Sequence, residues 1–117
     1  MGDLSLDSTN KITFSNVCTV FVKSEAVALM KQGTDKADIL AGLNEVISQR
    51  ALTLLKRVGI AEKFVITGGI GRNVGVVTKL GEKLDGIKIT IPAEPQIAGA
   101  VGAALFAFDR AKKEAIG

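Results

Sequence analysis

The stretch 64–75, Phe-Val-Ile-Thr-Gly-Gly-Ile-Gly-Arg-Asn-Val-Gly, constrains this chain more than any other part of it. Residues 63–67 form a short apolar, β-branched run of the kind that makes a strand covered on both faces. Gly68, Gly69 and Gly71 then remove every Cβ where the backbone has to bend sharply. Asn73 stands at the N-cap position of a helix that carries Val74, Val77, Leu80 and Leu84 on one stripe. A helix N-terminus behind bare glycine backbone can receive an anion or a nucleotide without steric conflict. The segment is thus a binding site in outline.

Composition narrows the chemistry available. With 117 residues the chain is one domain or part of one, and 47% apolar residues suffice for a core. The net charge of +3 is mild, its Lys and Arg are interspersed with acids, and Trp and Tyr are absent, which argues against a nucleic-acid partner. Histidine is absent, so imidazole general-base catalysis, serine triads and histidine-ligated metals are excluded. A single cysteine rules out an internal disulfide and points to a reducing compartment. Residues 1–10 are polar and contain two Asp, unlike a signal peptide. The longest apolar run, 97–108, is too short and too rich in Gly and Ala to span a bilayer. The expectation is a soluble, cytoplasmic protein.

Residues 11–15 alternate Ile12 and Phe14 against Thr13 and Ser15, the pattern of a half-buried strand, and the alternation can run on through Cys18, Val20 and Val22. A helix is expected over 24–32, with Ala26, Leu29 and Met30 on one side and Gly33 as its stop. Thr34 or Asp35 then caps the longest helix, 36–58, whose Ile39, Leu40, Leu43, Val46, Ile47, Leu54, Leu55 and Val58 follow amphipathic spacing, and Gly59 ends it. Asp85-Gly86 turns the chain into a strand over 87–91, giving a parallel βαβ unit with the strand at 63–67. Pro92 and Pro95 break the chain before a last, Gly/Ala-rich helix over 96–115. Glycine costs up to about 1 kcal/mol inside a helix, so Gly99 and Gly102 mark a close approach to backbone or ligand. Three short strands against four helices make a thin sheet, which implies self-pairing or a piece of a larger protein.

The residues alone leave alternatives open. The glycine turn could be a plain strand-to-helix corner. A dinucleotide site competes, because Gly69, Gly71 and Gly75 follow a strand, but that fold expects an acid ending the next strand, where this chain has Thr90-Ile91-Pro92. Taken alone, Cys18 reads as a small buried hydrophobe. Arg50 could stack on an adenine or snorkel along the long helix, and Arg72 could reach a ligand or face water.

Three motifs in order resemble one family: Asn16-Val-Cys-Thr-Val-Phe-Val-Lys-Ser-Glu25, Thr67-Gly-Gly-Ile-Gly-Arg-Asn73, and Pro92-Ala-Glu-Pro-Gln-Ile-Ala-Gly-Ala-Val-Gly-Ala-Ala-Leu105. They resemble the C-terminal part of the ATP-dependent activators of 2-hydroxyacyl-CoA dehydratases and the related ATP-hydrolysing subunits of benzoyl-CoA reductase. These belong to the actin, sugar-kinase and heat-shock ATPase superfamily. The resemblance implies an α/β, ribonuclease H-like, actin-type ATPase domain, incomplete here, with residues 1–117 forming one truncated C-terminal portion. It assigns Gly68, Gly69 and Asn73 to an adenosine-side motif flanked by Gln96, Gly99 and Gly102, and makes Cys18 a ligand of a [4Fe–4S] cluster shared between two subunits. Members of that family hydrolyse ATP with Mg²⁺ to drive an electron onto a CoA-ester dehydratase or reductase.

The departures from that family are equally specific. Its N-terminal phosphate loop, its second phosphate motif and the upstream cysteine that completes the cluster have no counterpart here. The chain is therefore expected to be the adenosine-binding half of such a protein, inactive as an ATPase alone and binding ADP weakly or not at all. In the intact protein the partners implied are a second copy of the chain and the dehydratase or reductase component. Two other readings stand beside this one: an iron–sulfur or redox protein dimerising through Cys18, and a pure interaction module that pairs an exposed sheet edge with another chain.

Overall fold

A computed structural model describes residues 1–14 and 18–116. Along the chain lie α1 (Gly2–Leu6), α2 (Thr19–Lys31), α3 (Lys36–Val58), β1 (Lys63–Val65), a 3-10 turn (Gly69–Arg72), α4 (Val74–Lys83), β2 (Lys88–Thr90) and α5 (Ala98–Ile116). The two strands are parallel, with Phe64 opposite Ile89 and α4 as the crossover between them. The parallel βαβ unit expected from the sequence is therefore present.

Helix α3 is the spine of the molecule. At 23 residues it runs about 35 Å, and each half serves a different core. Its N-terminal half packs Ile39 with Phe14 and Val22, flanked by Ile12, Ala26 and Leu29. Its C-terminal half packs Leu52 with Ile66, Leu80 and Leu84, flanked by Phe64, Ile87 and Ile89. The ends of α3 follow the sequence signals. The Asp35 carboxylate accepts from the Ala37 N–H at 2.7 Å, and Gly59 closes the helix at φ 94°. Gly33 (φ 79°) ends α2, its N–H donating to the Met30 carbonyl and that of Thr34 to Leu29, a Schellman closure.

Several expectations are corrected by the structure. Residues 11–14 form no strand, and Ser15 lies outside the described residues. The alternation at Ile12 and Phe14 serves packing onto α3 instead: a Cβ at Gly42 would come within 2.8 Å of the Phe14 ring and 2.9 Å of the Ile12 carbonyl. Helix α2 begins at Thr19, so Val20 and Val22 are helical and the strand cannot continue through them. Among the described residues the sheet thus has two strands rather than three. Strand β1 is covered on one face only: Phe64 faces the core while Val65 is 55% exposed, because no second layer lies over it among the described residues. On α3, Leu54 and Val58 are exposed, and Asp38, Asn44 and Ser48 take buried positions.

The buried Asp38 anchors the segment between α1 and α2. Its Oδ1 accepts from the Ser8 hydroxyl at 2.8 Å, the Thr9 N–H at 2.9 Å and the Asn10 N–H at 3.0 Å, and its Oδ2 from the Asn10 amide at 3.1 Å. The Asn10 N–H, then the Ser8 hydroxyl, hold the carboxyl below its ordinary range against the opposing effect of burial. Between the lowered folded-state value and the ordinary one, the unfolded chain binds more protons, so acid favours unfolding there. This contribution to stability is complete above the ordinary carboxylate range and disappears as pH falls through the folded-state value. Asp38→Asn should therefore destabilise the protein at neutral pH, with the gap to the parent chain closing in strong acid. Urea unfolding across that range measures it, and a gap independent of pH would contradict the assignment.

Candidate functional site

The glycine turn begins as β1 gives out. The Ile66 N–H still donates to the Thr90 carbonyl at 3.0 Å, and then the chain leaves the sheet at Gly68, whose φ of 79° a side chain would strain. The Gly68 N–H donates to the Pro95 carbonyl at 2.6 Å, tying the turn to the segment that leads into α5. A Cβ on Gly71 would stand 3.1 Å from Pro95 Cβ and 3.4 Å from the Ile66 carbonyl, so the turn and the proline loop are in close contact. A Cβ on Gly69 would lie 3.7 Å from the Gln96 side-chain nitrogen. Arg72 and Glu94 pair across the same junction at 2.6 Å, both more than half exposed. The outer surface is open: among the described residues nothing lies within 4 Å of where a Cβ would stand on Gly68, Gly99 or Gly102.

Beneath this turn lies a buried polar ladder. Asn73 caps α4, its Oδ1 accepting from the Val76 N–H at 3.4 Å, and its amide donates to Asn44 Oδ1 at 3.3 Å. The Asn44 amide donates to the Ser5 hydroxyl at 2.8 Å, which donates in turn to the Gly2 carbonyl at 2.6 Å. One turn along α3, the Ser48 hydroxyl lies 2.7 Å from the Asn44 carbonyl and 3.2 Å from the Val76 carbonyl. Helices α1, α3 and α4 meet here so closely that a Cβ on Gly75 would overlap both Asn44 Nδ2 and Ser5 Oγ.

Gly68, Gly69 and Gln96 are thus brought together, with Gly99 in the first turn of the helix that follows. Asn73 stands behind the turn with its side chain committed to the cap and to Asn44. Arg72 is held by Glu94, and Arg50 reaches Thr19 Oγ1 at 3.5 Å. Cys18 is an exposed free thiol at the N-cap of α2, which packs on α3. Among the described residues no group of three or more His, Cys, Asp or Glu is placed to hold a metal. One thiolate per chain does not make a cluster site, so any iron–sulfur centre draws its other ligands from outside these residues. Sequence reasoning missed Ser5, Asn44 and Ser48. The available signal was the pair of small polar residues one turn apart, at 44 and 48, inside an otherwise apolar helical pattern.

A parallel βαβ unit whose glycine turn is closed by the start of a Gly/Ala-rich helix defines a partial domain of the actin-like ATPase class. The chain belongs to the BadF/BadG/BcrA/BcrD ATPase family, whose profile it matches over residues 1–107. It is 41% identical over 113 residues to the (R)-2-hydroxyglutaryl-CoA dehydratase activating ATPase of Acidaminococcus fermentans, covering 97% of this chain and 43% of that protein. It is 30% identical over 118 residues to a benzoyl-CoA reductase subunit of Thauera aromatica, covering 97% and 42%. The solved activator of the 2-hydroxyisocaproyl-CoA dehydratase from Clostridium difficile, with bound ADPNP, superposes with a TM-score of 0.88 at 37% identity, over 97% of this chain and 42% of that one. The chain therefore spans about two fifths of the length of these relatives.

The ladder makes the turn depend on α3. Asn44→Ala should leave the Asn73 amide without its acceptor and a void beside Ser5, costing roughly 2–3 kcal/mol in urea unfolding. Amide exchange at 68–76 should accelerate more than in α2. Uniform acceleration across both would show that Asn44 stabilises the fold without positioning the turn.

Proposed function

We propose that this chain forms the nucleoside-side floor of an ATP-binding cleft in an ATP-driven electron-transfer activator or reductase subunit that serves a CoA-ester dehydratase or reductase. The observation that carries this reading is the junction at Gly68, Gly69 and Gln96. A hydrogen bond between main-chain groups fixes two segments against each other, and among the described residues nothing lies within 4 Å of where a Cβ would stand on Gly68 and only the Gln96 side chain near that on Gly69, which leaves room for a flat ring. Family membership and the ADPNP in the similar solved activator support a nucleotide as the occupant.

On this reading Gly68 and Gly69 present bare backbone to the nucleoside, and Gln96 and Gly99 border it from the start of α5. Asn73 acts from behind, fixing the direction of α4. Phosphate and Mg²⁺ contacts come from the rest of the ATPase, since hydrolysis needs positioned phosphates and metal and none of these residues supplies them. Residues 1–117 are one truncated portion of that domain. Cys18 contributes one thiolate to an iron–sulfur centre shared between two copies in the cytoplasm. The relatives that are activators of dehydratases or subunits of a reductase support the CoA-ester enzyme as the partner.

Without the phosphate side, binding of ADP to the chain alone is expected to be weak, in the millimolar range near ~4 kcal/mol. Titration of ADP into isotope-labelled protein, followed by amide chemical shifts, should perturb residues 68–72 and 96–99 first. Gly69 tolerates a side chain sterically, so Gly69→Val should fold and lose those shifts. Equal perturbation of both proteins, or shifts clustered elsewhere, would overturn the reading.

A further inference from the structure

The strands run toward the glycine turn and begin at the opposite pole of the sheet, where the surface is of another kind. Lys63 opens β1, Lys88 opens β2, and the register sets the two side by side. Both are exposed on the face away from α3 and α4, since Phe64 and Ile89 take the core side. Neighbouring strands lie about 4.8 Å apart, and like charges placed opposite each other destabilise a sheet. Among the described residues neither lysine has a carboxylate partner, because the ion pairs join other residues. Helix α3 enters β1 after a short connection, so Lys56 and Arg57 in its last turn lie at the same pole, where cations also suit the helix dipole. These four cations meet two acids, Glu62 and Asp85, while the rest of the chain carries eleven against ten. Most of the surplus charge is therefore gathered at this end.

We infer that the starting end of the sheet is a docking surface for a partner protein that presents closely spaced carboxylates. Lysine is almost never fully buried unless paired, so this end stays at the surface whatever polypeptide joins the chain. Nucleic acid fits less well. Glu62 and Asp85 interrupt the cations, which admits separate carboxylates and repels a continuous phosphate backbone, and Phe64 faces the core instead of offering a ring to a base. A second copy fits less well too, because a two-fold contact would set the four cations against themselves. Carboxylates on a partner would remove the repulsion between Lys63 and Lys88 and steer the approach. The pole lies at the opposite end of the strands from Gly68 and Gln96, so its occupation is independent of the nucleotide site.

Amide chemical shifts of the isotope-labelled chain, titrated with hexaglutamate, test this surface. Residues 62–64 and 87–89 should move first, and affinity should fall roughly fivefold or more as salt rises from about 0.02 M to 0.2 M. Lys88→Gln should weaken binding by roughly threefold and raise the urea midpoint of the free chain at low salt, since it relieves the repulsion. ADP-induced shifts at 68–72 should be the same with and without hexaglutamate; competition between the two would place the peptide in the nucleotide site and overturn the inference. Equal shifts at 110–113, where Arg110, Lys112 and Lys113 offer cations without the paired strands, would overturn it as well. So would a Lys88→Gln chain that binds hexaglutamate as before but self-associates in light scattering, because the lysines would then only guard the strand edges.

Discussion

The structure turns on one half-buried contact, the amide of Asn73 donating to Asn44 across the junction of α4 and α3. Asn44 is 1% exposed and Ser48 is fully buried, so these groups have no water to fall back on. Their partners must be each other, the Ser5 hydroxyl and the backbone, and that requirement fixes where α4 starts. Because α4 begins directly after the glycine turn, fixing its first residue fixes the turn. The apolar clusters on either side supply most of the favourable burial, but they are tolerant of small shifts. The polar ladder is not, since a displacement of about an ångström would break several bonds together.

Around this anchor the chain divides its work. The half of α3 nearer α2 holds the Ile12–Phe14 segment and the Asp38 nest; the other half holds the sheet. Glycines occur where two segments come too close for a side chain, at Gly42 against Phe14 and at Gly75 against Asn44 and Ser5. The glycine turn follows a different logic: Gly71 is crowded by Pro95, while Gly68 adopts a conformation other residues resist and faces open space. One set of glycines serves packing and the other leaves a surface bare.

Much of this was legible in the chain. Local signals were decisive where the cause is local: Asp35 and Gly59 bracket α3, Asn73 caps α4, Gly33 closes α2, and the two strands flank their helix. The nearness of Gly69 to Gln96 was implied by the family resemblance, and in the structure a short crossover that returns β2 beside β1 delivers both loops to the same end of the sheet. The misreadings arose where partners decide. Residues 11–14 alternate like a strand but, among the described residues, have no neighbouring strand to pair with, so the alternation is used against α3. The apolar pattern of α3 marked Leu54 and Val58 as interior, yet among the described residues nothing covers them. Asp38, Asn44 and Ser48 were invisible to hydrophobic periodicity because their burial depends on hydrogen-bond partners far along the chain.

The clasp between Arg72 and Glu94 has one further implication. Both side chains are largely in water, so their attraction is worth under about 1 kcal/mol and salt weakens it. The neighbouring bond from the Gly68 N–H to the Pro95 carbonyl is made by main chain alone and is indifferent to side-chain charge. Drift in charge at 72 and 94 across kindred proteins should therefore leave the seam closed, and those two positions become a place where evolution can adjust electrostatics at the rim without reshaping what lies beneath it.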